Sequence, residues 1–248
     1  MALDSLNRTL ITGNFLPDTT AATTVTETVY RLAELGATNG LTKLSDKRLY
    51  PNFSRIFPSD VYQARTVRDT ILHYGQKRRG WTDIALLFTT EDAGLDIAKV
   101  FVKLIGDSPP LRVVATRQFV RALSPSLETE MREIKRSGAR VIVAFVFYPW
   151  AQIARQALKA GLLEPGYVWF VSDYIVAVPP SVDPSFNLTR ETQGVLGNFA
   201  YLNYSSPMTA GFLYRWFTAD KAAFPGTVSP PNPYNFFSRD AVYTAGFR

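Results

Sequence analysis

The sequence predicts an α/β fold on a mainly parallel sheet, from three observations. Short apolar runs alternate with amphipathic segments from Leu10 onward, the pattern of successive βα units. Two of the runs, Ile84-Ala85-Leu86-Leu87-Phe88 and Val141-Ile142-Val143-Ala144-Phe145, are apolar on both faces, as strands covered by helices on each side must be. The 248 residues, 46% of them hydrophobic, suffice for a sizeable core in one large domain or two smaller lobes.

In chain order, strands are expected near Leu10–Thr12, Ser54–Phe57, Ile84–Phe88, Arg112–Ala115, Val141–Phe147 and Val168–Val171, with a further one in Val195–Leu202. The intervening helices are expected at Thr20–Leu35, Asp60–Tyr74, Leu95–Ile105, Leu127–Ser137, Trp150–Leu162 and Pro207–Phe224. Asp60 suits an N-cap, and Gly75, Gly138 and Gly161 suit helix ends, where glycine accepts the left-handed conformation. Met131 with Ile134, and Ile97, Val100, Phe101 and Leu104, form stripes that would lie on the sheet. Ser229–Pro233 reads as an extended connector, and a helix should begin at Ser238 and run toward Phe247.

Composition removes several classes of chemistry. Cysteine is absent, which rules out disulfides, thiolate metal sites and cysteine nucleophiles, and the single His73 leaves no partner for a histidine metal site or a triad. No metal or other cofactor is expected. The net charge of +6 is spread along helical stretches; Lys77-Arg78-Arg79 beside Trp81 reads as a solvated loop before it reads as a phosphate patch, so no nucleic-acid partner is expected. The apolar runs are too short to span a bilayer, so membrane attachment would need a segment outside this chain. Sequons at Asn7, Asn52, Asn187 and Asn203 hint at secretion.

Specific strings add a resemblance. Leu44 to Asp60, LSDKRLYPNFSRIFPSD, followed by YQARTVRDTILHYG, resembles the receptor family ligand-binding region, which includes class C G-protein-coupled receptor ectodomains, natriuretic peptide receptors, ionotropic glutamate receptor amino-terminal domains and bacterial amino-acid-binding proteins. The strings Ile134 to Val143, Gly166-Tyr167-Val168-Trp169 with Ser172-Asp173, Gly194 to Gly197 and Ser238 to Tyr243 resemble later parts of the same family in order. The resemblance implies a type I periplasmic-binding-protein-like fold: two lobes of mainly parallel sheet flanked by helices, closing on a small ligand. Against that pattern, residues 1–80 correspond to part of lobe 1, 81–205 to lobe 2, and 206–248 to a closing helix, a connector and a return to lobe 1. The family pattern begins with two more βα units and ends with further crossover strands, so lobe 1 is expected to be incomplete.

The resemblance also implies site residues. Thr19 and Thr20, at a helix start, would hold a ligand carboxylate, although Asp18 or Thr19 would equally serve as an ordinary cap. Thr38, with Thr42, supplies hydroxyls in the next contact loop. Tyr148 occupies the place of a ligand-stacking aromatic, with plain packing among Phe145, Phe147 and Trp150 as the alternative. Asp173 matches the residue that receives an ammonium in amino-acid-sensing members; its bland reading is a turn residue. Ala93 stands where the family often carries an aromatic.

The expected function is therefore an extracellular amino-acid-binding domain of a membrane receptor, signalling by clamshell closure, within a receptor dimer or alone. A soluble binding protein, secreted or periplasmic and feeding an ABC-type transporter, is the alternative. An enzyme is disfavoured, because no phosphate loop, triad or metal spacing is present.

Overall fold

The chain builds two parallel sheets, one very small. In the computed structural model, which describes residues 34–77, 81–120, 126–147, 149–177, 192 and 194–246, strand β1 (Glu34–Gly36) pairs with β2 (Phe53–Arg55). The described residues fall within one compact unit, Ala33–Arg248. The expected Leu10–Thr12 strand lies outside the described residues, as does the expected Thr20–Leu35 helix up to its end. That end is a correction: Glu34 and Leu35 are extended, because they pair with Phe53 and Ser54.

Helix α1 (Asp60–Lys77) leads into the second sheet, of five strands: β3 (Asp83–Thr89), β4 (Arg112–Phe119), β5 (Val141–Phe145), β6 (Val168–Val171) and β7 (Val195–Gly197). Every pairing is parallel and the spatial order is β4-β3-β5-β6-β7. All five residues of β5 are fully buried, as central parallel strands require.

Two clusters cover the two faces. On one, Ile84, Leu86, Val143 and Phe145 meet Ala64, Val67 and Ile71 of α1 and Ile97, Phe101 and Ile105 of α2 (Asp92–Gly106). On the other, Leu87, Ile142, Ala144 and Trp169 meet Met131 and Ile134 of α3 (Glu128–Arg136) and Ile153, Ala154 and Ala157 of α4 (Trp150–Lys159). Helix α1 thus packs on the five-stranded sheet, although it follows β2 in the chain.

Most helix boundaries have local causes. Helix α4 stops at Lys159, short of the expected Leu162, in a paired turn: Gly161 (φ +67°) donates to Leu158 O and Leu162 to Ala157 O, satisfying carbonyls the helix leaves open. Helix α1 instead continues through Gly75, which was expected to end it; a Cβ there would lie 3.1 Å from the Trp81 Cβ, so close packing is the reason for the glycine. A short helix, α5 (Asp173–Ala177), follows β6 and was not expected. Strand β7 ends at Gly197, well before Leu202.

Helix α6 (Pro207–Thr218) starts where Ser206 accepts from Thr209 N–H with proline at the first helical position. It ends six residues before the expected Phe224, where Lys221 Nζ donates to Trp216 O and Phe217 O. The last helix, α7 (Pro233–Gly246), begins five residues before the expected Ser238. Asn232 and Asn235 exchange side-chain-to-backbone hydrogen bonds of 3.2 and 2.8 Å, a reciprocal cap ahead of Pro233.

Trp169 joins these layers, being fully buried, edge-on to Trp150 and donating Nε1–H to Leu162 O at 2.8 Å. Trp169→Ala is expected to lower unfolding free energy by about 3–5 kcal/mol in a urea titration, from the cavity and the orphaned carbonyl together.

Candidate functional site

The order of the five strands reverses between β3 and β5, and in such sheets a crevice opens beyond the carboxyl ends of the strands. The loops leaving β3, β5 and β6 carry Ala93, Phe147 and Asp173 to that rim. Facing them are Thr38 to Leu41 after β1, Phe57 and Asp60 after β2, and Tyr234 from α7. Together these residues enclose a hollow of about 270 Å³. A second hollow of about 130 Å³ shares Phe57, Asp60 and Asp173 and is closed by Gln63, Asn198 and Phe199.

Rings hold the crevice at its back. Phe57 lies 5.0 Å from Phe237, 5.7 Å from Tyr234 and 6.0 Å from Phe199 between centroids, so three distant chain segments converge on one aromatic cluster. Thr42 ties the opposite end: its N–H and Oγ1 both donate to the Asp96 carboxylate, at 2.6 and 2.7 Å. This is a charge-assisted, two-point tether between the loop after β1 and helix α2.

Asp173 is the first residue of α5 and is 5% exposed. Burial pushes its carboxyl up from the usual carboxylate range, against the opposing pull of its hydrogen bonds. The Tyr234 hydroxyl donates to Oδ2 at 2.8 Å, and Tyr174 N–H donates to Oδ1 at 2.9 Å. The tyrosine in turn is held well above its normal pKa by its own burial and by the neighbouring Asp173 charge.

Asp60 is more exceptional. It is 6% exposed, and no donor among the described residues reaches its carboxylate. Its backbone N–H is fixed on Gly40 O at 2.8 Å, and a Cβ on Gly40 would sit 1.9 Å from Oδ1, so only glycine permits this approach. Burial, then repulsion from Asp173 and Asp96, pushes Asp60 up to about 7. The Arg55 charge and the positive end of α1 oppose this, but a helix terminus contributes about 0.3–1 kcal/mol, whereas a net shift of this size corresponds to about 4 kcal/mol. Desolvation therefore wins.

Of the residues expected to contact a ligand, Thr38 and Asp173 border the same hollow. Thr19, Thr20 and Tyr148 lie outside the described residues. Phe147, next to Tyr148, lines the hollow with its ring 5.9 Å from that of Tyr174. Asp60 was expected only as an N-cap; it is instead the first residue of α1, and its side chain faces the crevice. The string Pro58-Ser59-Asp60 carries a helix-start signal that masks this second role. Tyr234 gave no signal, since it meets Asp173 across 61 positions. His73 lies exposed on α1, edge-on to Tyr74 at 5.1 Å. Among the described residues there is no cluster of potential metal ligands.

A folded pKa of about 7, raised from the ordinary 3.8, means that Asp60 favours the folded state fully in acid and loses that contribution as pH rises through 7. Stability should therefore fall between pH 4 and pH 8. Asp60→Asn should raise the denaturation midpoint at pH 8 and leave it nearly unchanged at pH 4.

Comparison with known proteins supplies the remaining finding. A family model described as the receptor family ligand binding region matches residues 34–245. The chain is 26% identical over 166 residues to metabotropic glutamate receptor-like protein E of Dictyostelium discoideum, covering 63% of this chain and 19% of that protein. It is 26% identical over 210 residues to glutamate receptor 3.2 of Arabidopsis thaliana, covering 78% of this chain and 21% of that protein. The chain thus spans about a fifth of the length of these relatives.

Proposed function

We propose, because this chain belongs to the receptor family ligand-binding region, that it is the small-ligand-binding part of a membrane receptor and takes an amino acid or related zwitterion into the crevice. The observation that carries this reading is the pair of buried carboxylates at the strand ends, Asp60 without a donor and Asp173 held by Tyr234. A buried charge is costly unless compensated, and a ligand ammonium between the two would compensate both. The other pole has partners in the same hollow: the Thr38 hydroxyl and the N-terminus of α2 at Ala93, where unpaired N–H groups favour a carboxylate. Phe57 and Phe147 supply the apolar walls.

In this reading, the two-stranded sheet with α7 belongs to one lobe and the five-stranded sheet to the other. A ligand that touches both sides binds the closed form better than the open form, and that difference in affinity is the signal. The protein is a binding module and catalyses nothing; the relatives that support this are named as receptors. It acts outside the plasma membrane, as a monomer or a receptor dimer, with anchoring supplied by sequence beyond this chain. No helix among the described residues is long and apolar enough to cross a membrane. Asn52 and Asn203, both exposed, would then be open to glycosylation.

Calorimetry of the purified chain against the standard amino acids should find a saturable ligand bearing a free amine. Asp173→Asn should weaken it about tenfold or more, the cost of a lost charged hydrogen bond. Affinity should also fall as pH drops from 8 to 6, because a proton on Asp60 competes with the ammonium. Equal binding of the corresponding acid without its amine, or an unchanged affinity in Asp173→Asn, refutes the reading.

A further inference from the structure

A third, larger hollow lies away from the crevice, between α3 and α4 on the outer side of the sheet, with a volume of about 720 Å³. That is within the range of roughly 300–1,000 Å³ typical of small-molecule sites. Its charge is one-sided. Arg132, Lys135 and Arg136 of α3 and Lys159 of α4 line it, against the single carboxylate of Glu128. Nearby Glu133 does not offset them, because it pairs with Arg117 of β4.

The groove is built, with both of its ends clasped. Lys135 crosses it to donate to Ala160 O at 2.6 Å, and Gln156 Oε1 accepts from Leu127 N–H at the other end. Gly161 keeps the first clasp open: a Cβ there would meet Lys135 Nζ at 2.7 Å. Arg136 and Lys159 make no hydrogen bond or ion pair among the described residues, so their charges are available. Both come from the last turns of helices that run back toward the start of the next strand, which puts them at the end of the sheet opposite the crevice. Between the charges, the aliphatic stems of Arg132, Lys135 and Lys159, with Ala160, form an apolar bed over the buried Met131.

An inorganic anion would use the charges and waste the bed; a neutral apolar molecule would do the reverse. We propose that the α3–α4 groove is a second ligand site, for an amphiphilic organic anion whose aromatic or alkyl body lies along Ala160 and the aliphatic stems of Arg132 and Lys135 and whose carboxylate or sulfonate is held by Arg136 and Lys159. The site is independent of the crevice and of the amino acid assigned to it.

Calorimetry at low salt with naphthalene-2-sulfonate as the probe tests this on the whole 248-residue chain. Saturable binding is expected, weakened about tenfold by Arg136→Glu with Lys159→Glu and weakened further by added salt. Thermal unfolding and any crevice ligand should be unaffected by the double substitution. If charge reversal impairs folding, Arg136→Gln with Lys159→Gln answers the same question. The proposal is overturned by the absence of saturable heat, by equal affinity in the variants, by displacement with equimolar sodium sulfate, or by equal binding of neutral 2-naphthalenemethanol.

Discussion

The central strands β3, β5 and β6, which have no polar face, impose the constraint from which the rest of the fold follows. Strands buried on both sides have no surface on which to carry chemistry, so polar groups collect where they end. Because all five strands run the same way, all five carboxyl ends lie on one rim. Asp173 is two residues past β6, Asn198 one past β7, Phe147 two past β5 and Ala93 four past β3. The crevice is thus the ordinary by-product of a parallel sheet, placed before any ligand preference is considered.

What distinguishes this crevice is the electrostatic strain it retains. Asp60 and Asp173 are both buried, both raised in pKa and close enough to repel. Natural cores avoid such pairs, since each carboxylate loses its water and gains a like charge. Keeping them costs stability, and the proposed ammonium site lies between them for that reason. The two differ in support: Tyr234 and Tyr174 orient Asp173, whereas Asp60 is held only through its backbone and the missing Cβ of Gly40.

The fold was largely legible in the sequence, for a physical reason. Ile84–Phe88, Val141–Phe145 and Val168–Val171 are apolar throughout, and only a covered parallel sheet accommodates such runs, so their strands lie within a residue or two of expectation. Short elements were hidden: β1 has one large apolar residue in three, and α5 is one turn of helix. Helix starts at Asn232 and Ser206 depend on side-chain caps, and of these only Pro207 was read as a start. The crevice was half legible. Thr38 and Asp173, singled out by resemblance, border it, but Asp60 carries the same signature whether it caps a helix or faces the crevice. Tyr234 joins the crevice only through a contact made by the folded chain.

That last contact has a mechanical meaning. Tyr234 belongs to α7, which packs on β1, whereas Asp173 hangs from the rim of the large sheet. Their hydrogen bond spans the mouth, and the phenol cannot swing away without leaving Asp173 Oδ2 without its donor. Drawing the two sheets apart would therefore cost this hydrogen bond even in the empty molecule.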